Sequence, residues 1–206
     1  MVWHTLDEVR AEALECTKCR LHEGRTQVVW IDGNPDSDLM FIGEAPGFHE
    51  DREGRPFVGA SGKLLDEMLT SIDLDRTKCT ICNVIKCRPP NNRDPLSDEI
   101  DTCKPYLEAQ IDFIKPRVIV TLGNWATRFV LASQVSISRV RGQQFERFGA
   151  VVIPTFHPAA VLHSGGPKSP TMTALRSDFE LIQSVLEEQR VVAPVAKEEL
   201  EQAALF

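Results

Sequence analysis

The 206-residue sequence contains no apolar run long enough to cross a bilayer and no segment with the features of a signal peptide. It has no excess of positive charge either, because 23 lysines and arginines face 30 acidic residues, which gives a net charge of −7. These absences argue against a membrane protein and against a protein that coats nucleic acid over its whole surface. A local basic face is still compatible with the sequence, since residues 104–147 hold seven basic and three acidic side chains. We expect a soluble, cytoplasmic monomer with one hydrophobic core.

Six cysteines in a chain expected to be intracellular indicate a metal site or reactive thiols rather than disulfides. Cys16 and Cys19 have the two-residue spacing that is typical of one edge of a zinc or iron–sulfur site. Four further cysteines could complete that site: Cys79, Cys82, Cys87 and Cys103. The first two of these flank or enter a predicted strand and could be small core residues, whereas the last two lie in a loop and a helix. Spacing alone leaves the choice of pair, and of zinc or iron–sulfur, open.

Alternating apolar strands and amphipathic helices predict an α/β fold. Four β-rich runs are near-continuously hydrophobic, which is typical of a parallel sheet covered on both faces: Leu39–Ile42, Thr80–Ile85, Val118–Leu122 and Val151–Thr155. Gln27–Trp30 is a candidate edge strand. Helices are predicted at Leu6–Glu15, Lys63–Ile72, Asp98–Ile114, Asn124–Leu131 and from Ser169-Pro170 to about Gln189. We therefore predict a three-layer α/β/α domain over residues 1–190, with a central, mostly parallel four-stranded sheet, followed by a flexible acidic tail over residues 191–206.

Polar side chains occur where three of the predicted strands end. Glu44 directly follows the first strand, Asn83 lies near the exit of the second, and His157 follows the last. Because ligands of open α/β sheets bind at the carboxyl ends of the strands, we expect these side chains to share one pocket. The glycine-rich stretch 43–62 leaves the first strand but carries four acidic residues, which argues against a phosphate site. Each residue also has a structural alternative. His157 could cap a helix, Asn83 could be a structural amide, and Phe57 could be a core residue.

The order of five motifs resembles the iron–sulfur branch, called family 4, of the uracil-DNA glycosylase superfamily. The motifs are GEAPG (43–47), ED (50–51), GRPFVGASGKLL (54–65), NVIKCRPPNNR (83–93) and HPAAVL (157–162). The resemblance covers about residues 10–185. A related branch that bonds covalently to DNA has a histidine in the loop that residues 88–95 form here, and these residues contain none. A further branch lacks an acid like Glu44 and is the poorer match.

The resemblance implies an enzyme that starts base excision repair by hydrolysing the N-glycosidic bond of a flipped deoxyuridine in single- or double-stranded DNA. It implies that Phe57 stacks on uracil, that Asn83 reads the edge of the base, and that Gly43 and Ala45 approach it closely. His157 would stabilise the departing uracil anion. Glu44 is the first choice for the carboxylate that positions water, because it directly follows the strand end, and Glu50 is the second. Other branches have an aspartate in the first motif where this chain has Ala45, so both acids stay candidates.

The resemblance also implies a cofactor and DNA contacts. The ligands of a [4Fe–4S] cluster would be Cys16, Cys19, Cys87 and Cys103, with Cys79 and Cys82 left free. Lys86, Arg88 and Arg93 would meet phosphates, and Leu162 would wedge into the base stack, unless it belongs to a buried turn.

The end of the chain suggests a partner. Gln202–Phe206 resembles the peptide with which bacterial repair proteins bind the sliding clamp, which would bring the protein to the nucleoid. The same peptide could instead dock on this domain.

Two other function classes remain as alternatives. The acidic run from His49 to Glu53 could hold a metal ion in a nucleotide hydrolase. A non-catalytic DNA-binding module with a metal cluster is the second alternative.

Overall fold

The centre of the molecule is a mixed sheet. A computed structural model describes the backbone of residues 2–203 and the side chains up to Val191. In chain order its strands are β1 (Asp32–Gly33), β2 (Leu39–Gly43), β3 (Thr80–Asn83), β4 (Val118–Leu122), β5 (Phe145–Arg147) and β6 (Ala150–Thr155). They lie side by side in the order β1-β3-β2-β4-β6-β5. The inner four are parallel and the two edge strands are antiparallel, which confirms the predicted parallel core.

Both edge strands differ from the sequence-based prediction. The edge strand before β2 is Asp32–Gly33 and not Gln27–Trp30. Val28, Val29 and Trp30 are buried, and their apolar side chains pack into the core. The backbone of this segment is not a strand, although Val29 N donates a hydrogen bond to Lys86 O, just after β3, at 2.8 Å. Strand β5 is short and mostly exposed, so it lacks the apolar run that identified the four inner strands.

The helices within residues 2–203 are α1 (Leu6–Leu14), α2 (Phe48–Glu53), α3 (Ala60–Thr70), α4 (Ser97–Ile114), α5 (Asn124–Leu131), α6 (Ile137–Val140), α7 (Pro158–His163) and α8 (Pro170–Ala203). The five long helices occur where the sequence predicts them, and Thr5 caps α1 as expected. The short helices α2, α6 and α7 were not predicted. Helix α8 continues past the Gln189 end predicted for it, and it runs through Pro194. The segment predicted to be a flexible tail is therefore helical as far as Ala203.

The sheet separates two layers of helices. Leu39 and Phe41 of β2 belong to a core shared with α3, α7 and α8. Met40 and Ile42, on the other face, belong to a core shared with α4 and α5. This alternation confirms the three-layer α/β/α arrangement. Within the described part of the chain, no helix is both long and apolar enough to span a bilayer.

Candidate active site at the carboxyl ends of the strands

A pocket of about 550 Å³ opens where β2, β3 and β6 end. Glu44, Asn83 and His157 all line it, so the three strand ends converge as expected. Ala45, Glu50 and Phe57 are also part of its wall. Helix α2 and the turn that precedes α3 form one side, and the start of α7 forms the other. The site is thus built from segments that are far apart in the sequence.

Phe57 and Asn83 form the buried end of the pocket. Phe57 is 5% exposed and Asn83 is 2% exposed. Gly43 lies behind them and does not line the pocket; a Cβ at this position would come within 2.6 Å of Phe57 Cζ. Glycine at position 43 is therefore required for the ring and the amide to approach each other. Within the described part of the chain, the Asn83 side-chain amide has no hydrogen-bond partner, which leaves the amide for a ligand.

The His157 side chain has a defined tautomer. It caps α7, with Ala159 N donating to His157 Nδ1 at 3.1 Å. A neutral imidazole that accepts at Nδ1 carries its proton on Nε2. Burial lowers the pKa of His157 to about 4, although the nearby Glu50 acts in the opposite direction. The ring also stacks on Phe57, with 5.5 Å between the ring centroids. His157 is both a helix cap and a neutral N–H donor at physiological pH.

Glu44 has an unusual protonation behaviour. Burial, together with the negative charge of Asp94, raises the pKa of Glu44 to about 7. A carboxyl group with a pKa near the working pH is suited to general acid–base chemistry. Asp94 lies in the loop after β3 and lines the same pocket, although no sequence pattern indicates it as a site residue. Asn92 of this loop, whose backbone is left-handed at φ 54°, also lines the pocket and was not selected.

Glu50 has a different environment from Glu44. One carboxylate oxygen accepts hydrogen bonds from Val58 N and Gly59 N, both at 2.9 Å, and the other accepts from Gly47 N at 3.1 Å. The carboxylate therefore ties the start of α2 to the turn before α3. This arrangement favours Glu44 over Glu50 as the group that positions water.

Two of the three predicted phosphate contacts, Lys86 and Arg93, bind partners within the protein. Lys86 is 1% exposed, and its ammonium donates to Asn83 O and Gln110 Oε1, both at 2.6 Å. The prediction that Lys86 meets DNA is therefore wrong, because its side chain points into the space between the Trp30 ring and α4. Arg93 lines the pocket, but both of its terminal nitrogens bind the buried carboxylate of Glu99.

Arg88 and Leu162 remain available for DNA contacts. The Arg88 guanidinium lies 5.1 Å from the ring centroid of Phe48, which is 45% exposed. Leu162 is 44% exposed, whereas its neighbour Val161 is 1% exposed and packs into the core. The buried-turn explanation thus holds for Val161 and not for Leu162.

Four cysteines line one small pocket between the segment after α1 and helix α4: Cys16, Cys19, Cys87 and Cys103. Arg25 Nη1 donates to Cys87 Sγ and the backbone N–H of Lys86 donates to Cys103 Sγ, each at 3.3 Å. Burial raises the pKa of the Cys103 thiol to about 12. Cys79 and Cys82 are fully buried in the cores on opposite faces of the sheet, so they do not form a pair with each other.

The donor set of this pocket is compatible with a metal cluster. Among the described residues, no group of three or more histidine, cysteine, aspartate or glutamate side chains is arranged to hold a single metal ion. A zinc ion needs thiolates at about 2.3 Å from one centre. A cubane cluster binds each thiolate through a different iron atom and so accepts ligands that are further apart. Four thiols lining one pocket are therefore a donor set compatible with a metal centre.

The amino-acid sequence is similar to those of known proteins, and these proteins act on the kind of substrate that the pocket could bind. A family model described as the uracil DNA glycosylase superfamily matches residues 31–179. A type-4 uracil-DNA glycosylase of Sulfurisphaera tokodaii is 44% identical over 190 residues, with 88% of this chain and 84% of the relative covered. The type-4 enzyme of Archaeoglobus fulgidus is 48% identical over 167 residues, covering 77% and 84% of the two chains. A type-5 enzyme of Pyrobaculum aerophilum is only 30% identical over 153 residues, covering 66% of each chain. The chain therefore belongs to the uracil-DNA glycosylase superfamily, in its type-4 branch.

Proposed function

We propose that this protein removes uracil from DNA by hydrolysing the N-glycosidic bond of a flipped deoxyuridine. The observation that carries the proposal is the convergence of an aromatic ring, an unpaired amide and a neutral histidine in one pocket at the strand ends. The target base must leave the duplex stack to enter such a pocket, at a cost of a few kcal/mol. Single-stranded DNA avoids most of this cost.

Recognition of the base rests on Phe57 and Asn83. The Phe57 ring offers its face to the pyrimidine. The Asn83 amide donates to uracil O4 through its nitrogen and accepts from N3–H through its oxygen. Cytosine presents the opposite donor and acceptor pattern, and a buried amide left without matching partners is costly. Discrimination of roughly 10⁴-fold is within reach of such a site.

Bond cleavage leaves negative charge on the uracil and positive charge on the sugar. In this proposal His157 stabilises the uracil, and Glu44 acts at the sugar. When the bond between C1′ and N1 breaks, the electron pair moves onto the uracil ring, and His157 Nε2–H donates to the developing anion at O2. A water oxygen bonds to C1′ and gives a proton to the Glu44 carboxylate. Because His157 is neutral, it acts through hydrogen bonding rather than by delivering a full positive charge.

We also propose that Cys16, Cys19, Cys87 and Cys103 hold a [4Fe–4S] cluster. When bound, the cluster would tie the segment after α1, the end of the β3 segment and the start of α4 to one another. Its role is structural in this proposal, because it fixes the loop between Cys87 and Cys103 that carries Arg88, Arg93 and Asp94. Arg88 and Leu162 are the proposed contacts to phosphate and to the base stack.

The acidic run from His49 to Glu53 gives little support to a metal-dependent nucleotide hydrolase. The carboxylate of Asp51 accepts from Thr26 N at 2.9 and 3.1 Å, while that of Glu50 accepts from main-chain groups near α3. The two acids therefore point to different backbone partners.

An assay with uracil-containing single- and double-stranded oligonucleotides, with and without a magnesium chelator, distinguishes the candidate functions. We expect an abasic product that forms equally well with the chelator. Loss of product on chelation would favour the hydrolase, and binding without product would favour the DNA-binding module.

The cluster proposal has its own experiment. Purified protein should be brown and contain about four iron atoms per chain. Cys103→Ser should lose iron and colour, whereas Cys79→Ser is the matched control and should keep both, because Cys79 lies in the core of the α3 and α8 layer. Iron loss from Cys79→Ser with retention in Cys103→Ser would contradict the ligand assignment.

Three proposals rest on the sequence alone. The clamp-binding peptide, Gln202–Phe206, includes residues outside the described part of the chain. A monomeric state and a location on the bacterial nucleoid likewise remain predictions.

A further inference from the structure

The backbone at Phe57 has an uncommon conformation. Its φ is +55°, in the left-handed region that bulky residues rarely adopt. This conformation persists only where the surroundings enforce it. In this conformation the Phe57 ring stacks on His157 at the base of the pocket, with an angle of 26° between the ring planes. The groups that enforce it therefore control the orientation of the proposed uracil platform.

The carbonyl side of this turn is held by Arg76. One guanidinium nitrogen, Nη2, donates to Phe57 O, and Nη1 donates to Pro56 O at 3.1 Å. The guanidinium is itself fixed by Asp66, which accepts from Nε at 2.7 Å, and by Asp32, which accepts from Nη1 at 2.6 Å. The Arg76 side chain is only 19% exposed and does not line the pocket. Arg76 thus contacts the turn from behind.

The amide side of the same turn is held by Glu50. Its Oε1 accepts from Val58 N and Gly59 N, both at 2.9 Å. Gly62 completes the enclosure, because a Cβ at this position would overlap the Phe57 carbonyl. The Arg76 guanidinium thus binds the carbonyls of residues 56 and 57, and the Glu50 carboxylate binds the amides of residues 58 and 59.

We propose that Arg76 is a positioning residue for base recognition, acting with Glu50 as a clamp that holds the Phe57 ring against the bound uracil. The clamp assigns Glu50 to positioning, and it leaves water activation to Glu44. This proposal rests on the proposed function, because the clamp matters for catalysis only if Phe57 contacts the substrate. A purely structural Arg76 would instead affect stability and activity independently of Phe57.

A double-mutant cycle separates the two roles. Single-turnover excision of uracil from a single-stranded oligonucleotide is measured for wild type, Arg76→Gln, Phe57→Ala and the double variant, at saturating protein. We expect Arg76→Gln to slow excision about 10- to 100-fold in the wild-type background, since small misplacements of a reacting group have effects of this size. In the Phe57→Ala background the same change should cost less than about twofold, because the ring it positions is absent. Equal slowing in both backgrounds would overturn the proposal.

Arg55 provides a matched control. Its Nε and Nη2 bind the same carboxylate of Asp32 at 3.1 and 3.2 Å, but no contact with the Pro56 or Phe57 carbonyl is among its described hydrogen bonds. Arg55→Gln should therefore excise uracil within about twofold of wild type. A loss as large as that of Arg76→Gln would show that the Asp32 ion pairs matter, rather than the carbonyl contacts, and would also overturn the proposal.

Two further variants cover the case in which Arg76→Gln does not fold. Arg76→Lys keeps the charge but not the planar fork, so it should restore only part of the excision rate. Asp66→Asn alters an acid whose side chain is 48% exposed, and it loosens the guanidinium without removing it. Its loss of rate should also disappear in the Phe57→Ala background, and persistence there would count against the clamp. If wild-type protein releases no uracil at all, the proposed function fails before the clamp is tested.

Discussion

The raised pKa of Glu44 predicts a specific pH dependence of uracil excision. If the carboxylate form of Glu44 positions and deprotonates water, the rate follows the ionised fraction of this group. With a pKa of about 7, roughly a tenth of Glu44 is ionised at about pH 6 and roughly nine tenths at about pH 8. The rate should therefore rise about tenfold between these values. His157, with its pKa lowered to about 4, does not change protonation in this range.

Asp94→Asn tests the physical origin of this midpoint. Burial is the main cause of the raised Glu44 pKa, and the charge of Asp94 adds to it. Removal of that charge should lower the midpoint below about 7 while burial keeps it above the ordinary value of 4.5. At about pH 6 the variant should therefore reach a larger share of its own plateau rate than wild type does.

The measurement is single-turnover excision on a single-stranded uracil oligonucleotide, at constant ionic strength and saturating protein, with the abasic product cleaved by alkali. Saturation removes the effect that a lost negative charge has on DNA binding. Glu44→Gln should abolish the rise and lower the plateau, because the amide cannot accept the proton. A wild-type rate that is flat or falls between about pH 6 and pH 8 would refute the assignment of Glu44 as the base.

The parallel core and the meeting of its strand ends were predictable from the sequence. Hydrophobic runs predict buried strands from local sequence alone, and the strand predicted at Val118–Leu122 has the same bounds in the structure. Because parallel strands end at one edge, the approach of Glu44, Asn83 and His157 follows from the fold alone. Short or half-exposed elements such as β5 and α6 lack such a signal, and they were missed.

Side-chain direction was the main limit of the sequence-based prediction. Lys86 was expected to meet phosphates together with Arg88 and Arg93, yet tertiary packing turns its side chain towards Asn83 O and Gln110. Arg93 was expected to be free, but its partner Glu99 lies six residues away on α4. Asp94 and Arg76 act through groups that are distant in sequence, so no local pattern indicates them.

The cysteine site was also predictable only in part from the spacing of its residues. Spacing selected Cys16 and Cys19 but could not choose their partners. The resemblance to family 4 implied Cys87 and Cys103, and the structure places both at the same pocket and buries Cys79 and Cys82 on opposite faces of the sheet. A strand separates its successive residues to two faces, which explains why the apparent pair Cys79–Cys82 diverges.

Two further substitutions address base recognition and leaving-group stabilisation separately. Asn83→Asp replaces the donor that would meet uracil O4 with an acceptor, so excision should shift from uracil towards cytosine in paired oligonucleotide assays. Full retention of uracil activity would contradict the edge-reading role. His157→Ala removes the Nε2–H donor and should slow single-turnover excision about 10²-fold or more, as for other lost oxyanion donors. The DNA dissociation constant should change little, because His157 reaches the base and not the phosphates. The side chain also caps α7 through Ala159 N, so His157→Asn, which keeps a capping oxygen, separates helix stability from chemistry. If His157→Asn and His157→Ala both excise at the wild-type rate, His157 has no part in the reaction.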